Sequence, residues 1–257
     1  MIGIAFLGSG SGGNATVVSC GDTIVLLDCG FSARETARRM AVCGLDASAV
    51  TAILVTHEHS DHVSGVPVFA RRHQVPIFLS EGTRRASRLP EEKGCDLHRV
   101  LPGETFPLGE LRVTAFRTSH DAAEPLGYRF EAPDGSRLGI ATDTGVATGE
   151  LLETLAGCDV LGIESNHDLR MLETGPYPAF LRRRIASDRG HLSNDAAAAL
   201  LERLAHDRLR LLVGMHVSRQ NNTPELAARA LRARATVIGL DVQVAIAVQD
   251  SPLVHPA

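Results

Sequence analysis

The most constraining stretch of this chain is a short apolar run that stops on a cluster of histidines. Ala52, Ile53, Leu54 and Val55 read as a buried strand, and His57, His59, Asp61 and His62 follow within the next seven positions. Imidazole and carboxylate are ligand types that Zn²⁺ accepts, and a stiff strand delivers them into a loop where an open metal site would sit. A solvated turn would draw instead on Gly, Asn, Ser or Pro. The spacing H-x-H-x-D-H therefore points to a metal centre built at a strand mouth.

The same construction recurs. Arg112 to Thr118 is strand-like and leads to His120. Leu138 to Thr142 leads to Asp143, with Gly145 allowing a tight turn, and Leu211 to Met215 leads to His216. A lone histidine after a strand is more often structural, but here each apolar run ends on a ligand type. Two metals need about seven ligand groups, and these positions supply them.

Strand patterns near 2–7, 15–20, 23–28, 52–56, 76–79, 111–116, 126–131, 137–141, 159–163, 210–214 and 242–248 alternate with helical ones. The helical patterns lie near 32–43, 64–73, 147–156, 178–186, 193–206 and 223–236. Pro133-Asp134-Gly135-Ser136 predicts a hairpin turn, Ser193 or Asn194 a helix cap, and Thr223-Pro224 a helix start. Hairpin-like succession first, with helices interspersed later, suits an α/β chain with four layers: two mixed β-sheets packed together and helices outside. No linker or low-complexity tract divides residues 1–257, so one domain is expected. Gly8-Ser9-Gly10-Ser11-Gly12-Gly13 matches G-x-G-x-x-G, but a strand-like segment follows where a dinucleotide fold needs a helix. It is read as a turn near the rim of the site.

Composition excludes several classes. No apolar stretch approaches the ~18–20 residues that cross a bilayer, and the N-terminus lacks a basic n-region, so neither a membrane partner nor a signal peptide is expected. Five scattered cysteines without C-x-x-C suit a reducing, cytoplasmic setting. The net charge of −4 gives no global basic field. Arginines cluster locally at 71–72, at 84, 85 and 88, and at 182–184 with Arg189, while Lys93 is the one lysine. A solvated helix face accounts for each cluster taken alone.

His57-x-His59-x-Asp61-His62, His120, Asp143 and His216 resemble, in order and spacing, the metallo-β-lactamase superfamily over nearly the whole chain. That resemblance implies the αββα sandwich with a dinuclear site at one edge. His57, His59 and His120 would hold one metal and Asp61, His62 and His216 the other, with Asp143 bridging. Asp28 matches the family's early aspartate and would orient a ligand from behind. Gly190-His191-Leu192-Ser193-Asn194 looks like the Gly-His motif of the phosphodiesterase branches, in which the histidine faces the scissile phosphate. His216 to Glu225, Glu164 to Asp168 and Gly175 to Pro178 are similar to segments of the compact bacterial YycJ/WalJ family, regarded as DNA exonucleases. The β-CASP insertion of RNA-processing relatives has no room here.

A metal-dependent phosphodiester hydrolase acting on nucleic acid, a DNA exonuclease, is therefore expected. It would use a hydroxide bridging two divalent ions, Zn²⁺ first and Mn²⁺ as the other choice. Asp61 would orient or deprotonate that hydroxide, and His191 would contact the phosphate or protonate the leaving group. His167, Arg184 and Arg189 are expected on the substrate side. A small-molecule thioester or lactone hydrolase would use the same ligands and is favoured by the net acidity, but needs no phosphate-facing His191. An iron redox module is disfavoured by His at position 59, and a non-catalytic regulatory binder by the complete ligand set.

Overall fold

The computed structural model describes residues 1–87 and 95–255. Arg88 and Lys93 lie outside the described residues. Among the described residues, two seven-stranded sheets account for all the named strands. The first contains β1 (Gly3–Gly8), β2 (Ala15–Cys20), β3 (Thr23–Leu27), β4 (Ala52–Leu54), β5 (Ile77–Leu79) and β6 (Leu97–Arg99), paired in chain order. The second contains β7 (Thr105–Leu108), β8 (Leu111–Arg117), β9 (Leu126–Glu131), β10 (Arg137–Ala141), β11 (Val160–Glu164), β12 (Leu211–Met215) and β13 (Gln243–Ile246), also in chain order. The chain then returns as β14 (Leu253–His255), antiparallel to β1. Each sheet begins antiparallel and continues parallel, from β3 to β6 in one and from β10 to β13 in the other.

Among the described residues the α-helices are α1 (Ala33–Val42), α2 (Ser60–Val63), α3 (Val66–His73), α4 (Glu81–Ala86), α5 (Gly149–Leu155), α6 (Leu169–Thr174), α7 (Ala179–Ile185), α8 (Asn194–Leu204) and α9 (Pro224–Val237). Apolar residues of α1 and α3, among them Met40 and Phe69, pack on the outer face of the first sheet. Leu151, Leu201 and Leu231 from α5, α8 and α9 do the same on the second. Between the sheets lies a separate cluster containing Phe6, Leu27, Tyr128, Phe130, Ile140 and Val213. The four-layer expectation matches this architecture.

Two hydrogen bonds fasten the sheets to each other beside the site. The buried Tyr128 hydroxyl donates to Val55 O at 2.9 Å, and Leu126 N–H donates to Thr56 O at 2.9 Å. Each satisfies a polar group that burial would otherwise leave costly. Because both acceptors lie just past β4, the loop carrying His57 is fixed to both sheets.

The hairpin forms as expected, with Arg137 opposite Glu131. Ser193 caps α8 by accepting from Ala196 N–H at 3.1 Å, and Pro224 occupies the first turn of α9 behind the cap Thr223. The strand pattern near 52–56 is shorter than expected, and Asp61 and His62 sit in the one-turn helix α2, not in an open loop. The sequence patterns also passed over β6, β7, β14, α4 and α6. These are short elements that pack at most half of their residues inward, so they carry little periodicity. Among the described residues no helix is long and apolar enough to cross a membrane.

Candidate active site

The candidate residues gather where strands of both sheets end. Asp28 follows β3, His57 to His62 follow β4, and His120 follows β8. Asp143 follows β10 and His216 follows β12. Open α/β sheets bind ligands beyond the carboxyl ends of their parallel strands, and four of these five stations obey that rule.

Close backbone contact builds the first station. Asn14 N–H donates to Asp61 O at 2.7 Å and Cys29 N–H to His62 O at 2.8 Å, so α2 is pressed onto the 28–31 loop. Gly30 permits this, since a Cβ there would lie 1.7 Å from Asp61 O. The glycine-rich turn serves the site from the other side. Ser9 Oγ accepts from His216 N–H at 2.8 Å, and Asn14 Nδ2 lies 3.0 Å from His62 Nε2.

Two groups of donor atoms result, with Asp143 between them. His57 Nε2 and His120 Nε2 approach His59 Nδ1 at 3.0 and 3.3 Å. On the other side, Asp61 Oδ2 lies 3.6 Å from His62 Nε2 and 3.5 Å from His216 Nε2. Asp143 reaches His62 Nε2 at 3.2 Å, His216 Nε2 at 3.6 Å and His120 Nε2 at 3.8 Å.

Hydrogen bonds behind the rings say which nitrogens are free. Thr56 Oγ1 donates to Asp28 Oδ2 at 2.9 Å, which leaves it to accept from His57 Nδ1 at 3.0 Å. His62 Nδ1 donates to Asp28 Oδ2 at 2.7 Å, and His120 Nδ1 to Gly190 O at 3.0 Å. With each Nδ1 carrying a proton, each Nε2 presents a lone pair to the centre. One proton on His59 Nδ1 could not satisfy the two nitrogens that face it. Among the described residues, His216 Nε2 and Asp143 Oδ2 are buried without a hydrogen-bond partner. Orphaned donors of this kind, facing one another in a buried centre, are what a divalent cation satisfies. The donor set fits, and the fold together with these histidine–aspartate clusters points to divalent metal binding.

The electrostatics agree. Burial alone would depress His216, but Asp143, Asp61 and Glu164 override it and hold its pKa up at about 10. Burial likewise opposes charge on His62, yet Asp143 and Asp28 push it well above its ordinary value. Burial works against the Asp143 carboxylate, and His216 and His62 outweigh it, holding the group well below the usual range. The carboxylates thus demand positive charge at the centre. His57, depressed by burial and by His62, stays a neutral donor.

Backbone conformation adds strain. Asp28, Asp143 and His216 take φ of 59°, 53° and 53°, the left-handed region that L-residues avoid. Such positions cost on the order of 1–3 kcal/mol each and persist where surrounding structure over-determines them.

Glu164 is a candidate functional residue that the ligand pattern passed over. It closes β11, is 0% exposed, and its Oε1 lies 2.7 Å from His191 Nδ1 and 3.1 Å from His216 Nδ1. Backbone N–H groups of Thr144 and Leu192 donate to Oε2. Burial would raise its pKa, but His191 and His216 pull it down to about 2. The signal was available: an apolar strand ending on a carboxylate marks Glu164 as it marks Asp143. Asn14 carried no such signal.

The other expected residues are placed unevenly. His191 stacks against His216 and tilts toward His120, with its side chain 19% exposed. Arg189 Nη2 donates to His120 O at 3.4 Å, and Arg184 pairs with Asp121, whose Oδ1 is 3.3 Å from His120 Nε2. His167 lies apart from this surface. It is 1% exposed, bridges in parallel to Ser193, and has an unpartnered Nδ1. Burial depresses its pKa to about 4.

Two β-sheets between helices, with a histidine–carboxylate centre at the strand ends, define the metal-dependent hydrolases of the β-lactamase type. Residues 23–217 match the model of the β-lactamase superfamily domain. The chain is 34% identical to exodeoxyribonuclease YycJ of Bacillus anthracis, over 95% of this chain and 93% of that one. It is 34% identical to exodeoxyribonuclease WalJ of Streptococcus pneumoniae, over 96% and 93%. The metallo-β-lactamase fold protein YhfI of Bacillus subtilis superposes with a TM-score of 0.74 at 16% identity, covering 98% of this chain and 99% of that one. The chain belongs to the β-lactamase superfamily and, within it, to the family of YycJ and WalJ.

Proposed function

We propose that this protein is a metal-dependent phosphodiester hydrolase that acts on nucleic acid, a DNA exonuclease, with Zn²⁺ as its resident metal. The observation that carries this reading is the placement of His191, anchored through Nδ1 by a buried carboxylate and stacked on a ligand histidine. Its similarity to relatives named exodeoxyribonucleases supports the same conclusion.

His57, His59 and His120 would hold one cation and Asp61, His62 and His216 the other, with Asp143 shared. Bound there, divalent cations supply Lewis-acid charge for the phosphate oxygens and acidify water. The remaining work falls to side chains. Asp28 fixes His62 and, through Thr56, His57. Glu164 fixes His216 and His191 together, leaving His191 Nε2 as the nitrogen available to substrate. Burial opposes protonation of His191, but Glu164 outweighs it and raises the pKa, so a proton is held ready for the leaving oxygen. Asp61, at 21% side-chain exposure, is less buried than His57, His62, His120 and His216, and would orient the attacking water. Arg184 and Arg189 lie next to His120 and would contact the polyanionic strand. Asp61→Ala removes one metal donor and the water-orienting group together.

The test is a panel of end-labelled single- and double-stranded DNA and RNA with Zn²⁺ or Mn²⁺, run beside an Asp61→Ala control. DNA degraded from an end, dependent on metal and abolished in the control, is expected. Turnover of an acyl thioester without turnover of bis-p-nitrophenyl phosphate would instead make this a small-molecule hydrolase.

A further inference from the structure

A cavity of about 610 Å³ opens beside the centre and shares His120 with it. Its volume falls within the roughly 300–1,000 Å³ typical of small-ligand sites. Three guanidinium groups border it, from Arg85, Arg117 and Arg189. Two of them are weakly committed. Arg85 is paired with Glu81 at 2.7 Å but is 75% exposed, and Arg117 stands 3.8 Å from Glu150 at 61% exposure. Solvated pairs of this kind contribute little and yield readily to a stronger anion.

A second observation points to a ligand. Thr118 also lines the cavity, is 7% exposed, and has a buried hydroxyl without a hydrogen-bond partner. Native structures rarely leave such a group unmatched. The neighbouring Ser119 hydroxyl, by contrast, is occupied by Asp188 O at 2.7 Å.

We propose that this cavity is a subsite for the phosphorylated end of the substrate strand, taking the terminal nucleotide with its phosphate monoester between Arg85 and Arg117 and within reach of Thr118. The inference rests on the nucleic-acid reading above. An enzyme confined to strand ends has to read something that an internal nucleotide lacks. A monoester supplies it: near pH 7 it carries about −1.5 to −2 of charge and three strong acceptor oxygens, which guanidinium groups match in geometry. Either a 5′- or a 3′-phosphate has this chemistry.

The experiment compares kcat/KM on duplexes bearing a 5′-phosphate, a 3′-phosphate or neither, for wild type, an Arg85→Gln/Arg117→Gln double variant and Thr118→Val. Wild type should favour one phosphorylated end by about tenfold or more, the equivalent of ~1.4 kcal/mol. The preference should nearly vanish in the double variant and shrink severalfold in Thr118→Val, and the preferred arm identifies the end. Indifference of wild type to both phosphates would overturn the proposal, as would a preference surviving the double substitution or an equal slowing on every end. Should wild type cleave no nucleic acid, the activity proposed above fails, and binding still decides the subsite. Fluorescence anisotropy with oligonucleotides carrying cleavage-resistant methylphosphonate end linkages must then show the same phosphate preference and its loss, and equal affinities overturn it.

Discussion

Glu164, with no solvent exposure, accepts a hydrogen bond from His191 Nδ1 at 2.7 Å. The same oxygen holds His216 Nδ1, so one carboxylate sets the tautomer of both histidines. Glu164→Gln keeps the volume but turns an acceptor-only group into one that also donates. We expect metal affinity and kcat each to fall about 10- to 100-fold, the usual cost of removing such support. Chelator competition and single-turnover cleavage measure the two separately, and an unchanged kcat would remove Glu164 from the mechanism.

Asp28 has a comparable role in the other half of the centre. Its carboxylate receives His62 Nδ1 and both Thr56 donors. Asp28→Asn should weaken metal binding by about 10- to 100-fold, with the greater effect on the cation held by His62. Stepwise titration of the metal-free protein resolves the two sites. Equal weakening of both would mean that Thr56 relays the loss to His57.

Gly30→Ala tests the contact that seats α2. The added methyl would fall 1.7 Å from a carbonyl oxygen of the backbone, which cannot swing away as a side chain could. Overpacking typically costs about 1–3 kcal/mol, and the displaced backbone carries the proposed ligands Asp61 and His62. Lower thermal stability together with substoichiometric metal in the purified variant is the expected pair of results.

His167 predicts a pH effect on stability. In the fold its pKa is about 4, against about 6.5 when unfolded. Between these values the unfolded chain binds more protons, so stability falls as pH drops from 6.5 through 4. A shift of this size corresponds to about 3–3.5 kcal/mol. Denaturant titrations of wild type and His167→Gln at pH 7.5 and 4.5 isolate the term, because the site histidines are common to both. Wild type should lose stability relative to His167→Gln at the lower pH, and parallel behaviour would rule the assignment out.

How much was legible follows from what makes a sequence signal. His57, His59, Asp61 and His62 stand out because four candidate ligand residues crowd one strand end, and His120, Asp143 and His216 because each closes an apolar run. The sheets were legible wherever strands were long enough to show a pattern. Asn14 was not, since a side chain that braces the centre from a turn has no periodicity around it. Nor were the three-residue edge strands Leu97–Arg99 and Leu253–His255, which are only partly buried. His167 is read toward the substrate side from resemblance alone, whereas its parallel bridge to Ser193 leaves it 1% exposed.

The left-handed turns at Asp28, Asp143 and His216 have an engineering corollary. Glycine adopts that geometry freely, so replacing any of the three with glycine relieves the local main chain while deleting a group on which the proposed chemistry depends. Selection for heat tolerance alone would drift toward such inert, sturdier proteins. Bulky polar residues at these three bends therefore hold main-chain strain that glycine would release.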